Sequence, residues 1–217
     1  MKTLVYTYRN QLFKGPNDLD FDAEGNLFFT DPWATGVGPT MADQSGAVYQ
    51  YSKDGILRKI IDDLHFPNGI AVSPDNGRLA IGDCMASRMV YATFATGPTL
   101  STPGAKPDPL HLTFQTVRAA TYLPGAGCPD GLHYDVKGNL WIAAGGLGGM
   151  LQVDPRGIIL GFVPIPNGDL STTNFAFGGP DNKTIYFMGA NSGTFWRFTA
   201  PYPGLIGPGG ARLAAQP

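Results

Sequence analysis

Three Asn or Asp side chains stand at one recurring place in the chain: Asn17 in Gly15-Pro16-Asn17-Asp18, Asn68 in Phe66-Pro67-Asn68-Gly69 and Asp130 in Cys128-Pro129-Asp130-Gly131. Each follows a proline and leads into a short apolar run. If those runs are equivalent strands of a repeated fold, two amide oxygens and one carboxylate converge on a common axis. That donor set suits a hard divalent cation such as Ca²⁺, which takes several oxygen ligands and leaves room for water or substrate. A cation held there can polarise a carbonyl or phosphoryl oxygen and lower the pKa of a bound water, with Asp130 as the candidate base or nucleophile. A plain turn reading stands beside this one, because Asn-Gly and Asp-Gly are favoured in tight turns that do no chemistry. Asn174 lies one place later in its own unit, after Thr172-Thr173, and is either a further polar contact at the same mouth or a turn cap.

Other catalytic templates do not assemble. There is no Gly-x-Ser-x-Gly elbow, and the spacing of His65, His111 and His133 builds no triad. All three histidines read as structural, and His133, alternating with Leu132 and Tyr134, as a packed or hydrogen-bonded strand residue. The glycines between Gly145 and Gly149 follow a strand but open no helix, so a dinucleotide reading fails its context. Cys84 and Cys128 can form at most one bridge and match no zinc or redox spacing. They are expected to be two unpaired, partly buried thiols, which leaves the redox compartment undecided.

The elements that would position these residues come from an internal repeat. Leu19-Asp20-Phe21, the turn Asp22 to Asn26, and Leu27 to Asp31 form one unit. Ile70-Ala71-Val72 with Leu79 to Asp83, Leu132-His133-Tyr134 with Leu140 to Ala144, and Phe175-Ala176-Phe177 with Thr184 to Phe187 repeat it. Short apolar alternation around Gly/Asn/Asp turns predicts two antiparallel strands each time. Third strands are predicted at 47–51, 89–93, 150–154 and 194–198, and fourth strands at 56–61 and 158–163. Four antiparallel strands per repeat describe a propeller blade. The predicted fold is therefore all-β, a single propeller domain over residues 1–217, with about four blades and one outer strand at Thr3 to Tyr8. The surplus length falls in loops, notably Gly97 to Asp108. Trp141 and Trp196 are expected between blades, as is Trp33, which in the loop from Asp31 to Pro39 is also placed to wall a pocket.

Composition narrows the partners. Against 17 Asp+Glu, 15 Lys+Arg leave a formal charge of -2 with no run of either sign, so neither nucleic acid nor an anionic membrane surface is indicated. No stretch has the ~20 apolar residues that span a bilayer, and the early Tyr-Thr-Tyr-Arg-Asn-Gln interrupts any signal-peptide core. A cytoplasmic location is expected over a secreted one. With 30 Gly and 19 Pro beside 43% hydrophobic residues, the chain is rich in turns but has too much apolar surface for disorder.

Five motifs in order, Gly15-Pro16-Asn17-Asp18-Leu19 with Phe29-Thr30-Asp31-Pro32, Pro67-Asn68-Gly69, Pro129-Asp130-Gly131 and Thr173 to Gly179, resemble the gluconolactonase/regucalcin (senescence marker protein) family over essentially the whole chain. The resemblance implies a six-bladed β propeller with a divalent metal in its channel, usually Ca²⁺, with Zn²⁺, Mg²⁺ or Mn²⁺ as alternatives, and hydrolysis of sugar lactones. It implies Asn68 and Asp130 as metal ligands, Asn17 as a metal ligand or a substrate contact, and Asp130 as assisting water attack; Asn174 and Trp33 are carried beside them as substrate-binding candidates. The family's metal-ligating Glu would lie before the first residue here, with about one and a half blades. Gly15 stands where the regucalcin branch has Arg, which places the gluconolactonase branch closer. Other esters or phosphotriesters at the same metal, or an incomplete propeller that binds or self-associates through open blade edges, are the alternative functions.

Overall fold

A computed structural model describes residues 1–33, 40–94 and 114–207. It opens with a small hairpin, β1 (Thr7–Tyr8) and β2 (Gln11–Leu12). Four antiparallel sheets follow, each running from an inner to an outer strand. The first holds β3 (Leu19–Phe21), β4 (Leu27–Asp31), β5 (Gly46–Tyr51) and β6 (Leu57–Leu64). The second holds β7 (Pro67–Val72), β8 (Arg78–Asp83), β9 (Arg88–Phe94) and β10 (Phe114–Tyr122). The third holds β11 (Cys128–Tyr134), β12 (Leu140–Gly145), β13 (Gly149–Val153) and β14 (Ile159–Pro164), and the fourth β15 (Thr172–Gly178), β16 (Thr184–Gly189) and β17 (Thr194–Thr199). This is the blade series of a propeller, as the repeat predicts. The outer strand β10 was not foreseen, because it lies beyond the Gly- and Pro-rich stretch; that stretch, with His111 and the Gly97 to Asp108 loop, lies outside the described residues.

Packing explains the apolar runs of the second strands. Along β8, Leu79 and Ile81 join an apolar cluster with Phe28, Val48 and Ile70, while Ala80 joins one with Leu132, Tyr134 and Ile142. Along β12, Ile142 faces the second blade, whereas Trp141 and Ala143 pack with Phe175, Ile185 and Phe187 of the fourth. Strands covered on both faces need apolar residues at successive positions instead of alternate ones. Phe28, Ile81 and Ile142 are fully buried, and each contributes roughly 1.5–3 kcal/mol of transfer free energy.

At the N-terminus, Thr7–Tyr8 of the expected outer strand at Thr3 to Tyr8 is a strand, folded onto β2 through Arg9-Asn10, both at positive φ (51° and 64°). The hairpin lays Tyr8 and Phe13 over the outward face of the first sheet, with ring centroids 5.4 Å and 5.0 Å from Tyr49.

Candidate cation and substrate site

Each inner strand has the same irregularity at the same place. Pro67 pairs with Asp83 and Ile70 with Ile81, so Asn68-Gly69 oppose Gly82 alone. Pro129 pairs with Ala144 and Leu132 with Ile142, leaving Asp130-Gly131 against Ala143; Thr173-Asn174 oppose Met188 in the same way. In the first sheet, Asn17 N–H donates to Thr30 O at 3.0 Å and Thr30 N–H to Asp18 O at 3.0 Å. Such two-against-one bulges re-aim a side chain out of the pleat. Asn17, Asn68 and Asp130 occupy the first bulge position, and Asp18 and Asn174 the second.

Successive bulges touch. Thr30 Oγ1 donates to Asn68 O at 2.8 Å and accepts from Asp18 N–H at 3.1 Å. Asp18 Oδ2 accepts Ile70 N–H at 3.2 Å. Glycine is required where they meet: a Cβ on Gly69 would lie 1.9 Å from Asp130 O, and one on Gly131 2.4 Å from Asn174 Oδ1. The four segments carrying Asn17, Asn68, Asp130 and Asn174 therefore form one contiguous row. Asn17 and Asn174 are exposed, Asn68 is buried and Asp130 intermediate. Trp33 stacks obliquely on Phe66, 5.0 Å between ring centroids, behind the Asn68 segment, with its Nε1 buried and without a partner.

The electrostatics of this row disfavour its carboxylates. Burial first, and then the Asp18 carboxylate, push Asp130 up to about 7, against the pull of Asn68 and of Gly131 N–H. Burial likewise raises Asp18 and Asp20, opposed by the backbone N–H groups they accept and by His133. Asn68 Oδ1 is buried with no hydrogen-bond partner, while Nδ2 points at Cys128 Sγ at 3.6 Å. An orphaned amide oxygen beside a carboxylate that resists ionisation fits a hard cation, which supplies the missing partner to both. Among the described residues no three His, Cys, Asp or Glu side chains form a ready-made metal cluster.

Two expectations are corrected here. His133 is not packed in its strand but exposed, edge-on to Phe175 at 5.3 Å, lining with Asp20 a cavity of about 460 Å³ farther along the inner strands. Cys84 and Cys128 are not free thiols but a disulfide. Blade packing brings their Cα atoms to 4.3 Å although 44 residues separate them, and nothing in that spacing announces the contact. Asp18 and Asp20, missed as site residues, share the face of β3 turned toward β7; their alternation with the exposed Leu19 and Phe21 was the available signal.

The profile described as "SMP-30/Gluconolactonase/LRE-like region" matches residues 2–191. The chain belongs to this family. A gluconolactonase of Zymomonas mobilis is 32% identical over 201 residues, which cover 87% of this chain and 52% of that protein. A diisopropyl-fluorophosphatase of Loligo vulgaris is 28% identical, covering 85% and 57%. Among solved structures, a gluconolactonase of Xanthomonas campestris superposes with a TM-score of 0.68 at 25% identity, covering 91% of this chain and 60% of that one. The chain thus spans about half the length of the curated relatives it matches.

Proposed function

We propose that this family member contributes the site of a lactone hydrolase, with Asn17, Asn68 and Asp130 holding a divalent cation, Ca²⁺ in the first instance. The observation that carries the reading is the shared bulge that leaves Asn68 Oδ1 unpartnered next to Asp130. A cation so held would polarise a lactone carbonyl and acidify water. Asp130, kept as its carboxylate by that cation, would take the proton of the attacking water and return it to the ring oxygen that leaves. Asn174, its Oδ1 tied to Phe175 N–H at 2.8 Å, offers its amide to the substrate, and Asn17 and Trp33 flank it. We take residues 1–217 as one domain, because every junction between adjacent blades shares an apolar cluster.

Aldonolactone hydrolysis by wild-type chain and Asp130→Ala tests the reading; unchanged turnover in the variant sinks it. The Loligo relative favours a second reading, phosphorus esters at the same cation, and a panel of aldonolactones, aryl esters and phosphotriesters separates the two. Leu19 (56% exposed) and Phe21 (45%) on the first blade support self-association as a further property, which size-exclusion chromatography at several concentrations checks.

A further inference from the structure

In the first two blades, a buried carboxylate grips the backbone just before the candidate ligand. Asp31, at the end of β4, accepts the N–H groups of Lys14 (3.1 Å) and Gly15 (2.7 Å), two and one residues before Pro16. Asp83, at the end of β8, accepts those of His65 (3.1 Å) and Phe66 (2.9 Å), at the same offsets from Pro67. Arg88 holds Asp83 in turn, at 2.8 Å. The third blade breaks the pattern: Leu27 leads four residues on to Asp31 and Leu79 to Asp83, but Leu140 leads to Ala144. Ala144 faces Pro129 just as Asp83 faces Pro67, and its methyl group accepts nothing. Where the grip is missing, Cys128, directly before Pro129-Asp130, is bonded to Cys84, directly after Asp83. Cys84 is itself fixed to the second blade, its N–H donating to Phe66 O at 2.9 Å.

We propose that the Cys84–Cys128 disulfide replaces the absent carboxylate grip and positions Asp130 against Asn68, so that opening it loosens this one segment and weakens cation binding there. The effect on the cation rests on the function proposed above; the effect on the segment does not. Opening the bond takes two electrons and two protons from a dithiol reductant, which departs as its own disulfide and leaves two thiols. Both sulfur-bearing residues are partly exposed, within reach of such a reagent.

The test compares the untreated chain with the chain reduced by dithiothreitol. Alkylation after unfolding counts thiols, mass spectrometry follows amide exchange, and calorimetry measures Ca²⁺ binding. The untreated chain should show no free thiol. On reduction, exchange across residues 126–131 should quicken roughly tenfold or more while residues 13–18, gripped by Asp31, stay unchanged, and Ca²⁺ should bind roughly tenfold more weakly. Cys84→Ala should reproduce both effects and ignore the reductant. Free thiols in the untreated chain, unaltered exchange at 126–131, or equal acceleration in both segments overturns the proposal. An untreated chain that takes up no Ca²⁺ refutes the cation reading, while the exchange comparison still decides the grip.

Discussion

Asn and Asp recur at both ends of the inner strands, and the two ends use them in opposite ways. At the turn end, Asp22 Oδ1 accepts Glu24 and Asn26 N–H groups, and Asn26 Nδ2 donates to Oδ2 at 2.7 Å. Asp135 repeats this with Lys137 and Asn139, and adds Trp141 Nε1 at 3.4 Å. These carboxylates are consumed by their own turns. At the bulge end, Asn68 Oδ1 has no partner and Asp130 is driven toward its neutral form. A turn residue and a site residue can thus be the same amino acid after the same kind of dipeptide; what separates them is whether the local backbone closes on the side chain.

The contrast breaks most visibly in a pair of substitutions. Asp130→Ala is expected to reduce lactone turnover by ~10³-fold, the scale of a lost general base, with the melting temperature held or raised. Asp135→Ala should do the reverse, lowering stability by about 3 kcal/mol in urea titrations through its orphaned donors while Ca²⁺ binding by the folded fraction is retained. Gly69→Ala attacks the contact between bulges: with Asp130 O only 1.9 Å from the new methyl, the segments must part, and a stability loss of roughly 1–3 kcal/mol should come with weaker Ca²⁺ binding, both read by calorimetry. The smallest effect sharpens the comparison through pH. Because Asp130 titrates at about 7 when no cation is bound, Ca²⁺ should bind about tenfold more weakly at pH 6 than at pH 8, with close to one proton released per ion at the lower pH. The sign for folding is fixed as well. A carboxyl raised from its ordinary 3.8 to about 7 binds protons more readily folded than unfolded, so its contribution stabilises the cation-free fold at low pH and is lost as pH rises through 4 to 7.

Much of the architecture was legible because alternation and turn chemistry are local. The D-x-x-G-N runs at Asp22 and Asp135 announce closed turns, and the strands they join follow from period-two apolar spacing. The shared position of Asn17, Asn68 and Asp130 was also legible, since a bulge at one place in each repeat needs the same Pro and a small or polar residue. What escaped depends on contacts between blades. Asp18 reads as the acidic neighbour of a Pro-Asn turn until Ile70 N–H is seen to bind it from the next sheet. His133 has the spacing of a packed strand residue, and its exposure follows from the face on which the inner strand is open. The Cys84–Cys128 bond links two chain positions that become neighbours only after two sheets have stacked.

The division of each sheet's side chains between two apolar clusters reaches into how the molecule folds. Leu79 and Ala80 are adjacent in sequence yet belong to different clusters, so a blade by itself has two incomplete faces and no core of its own. The seam between blades is then the expected cooperative unit. Folding should therefore spread from seam to seam, each closure presenting the template for the next, as in linear repeat proteins whose stability is a sum of neighbour interfaces.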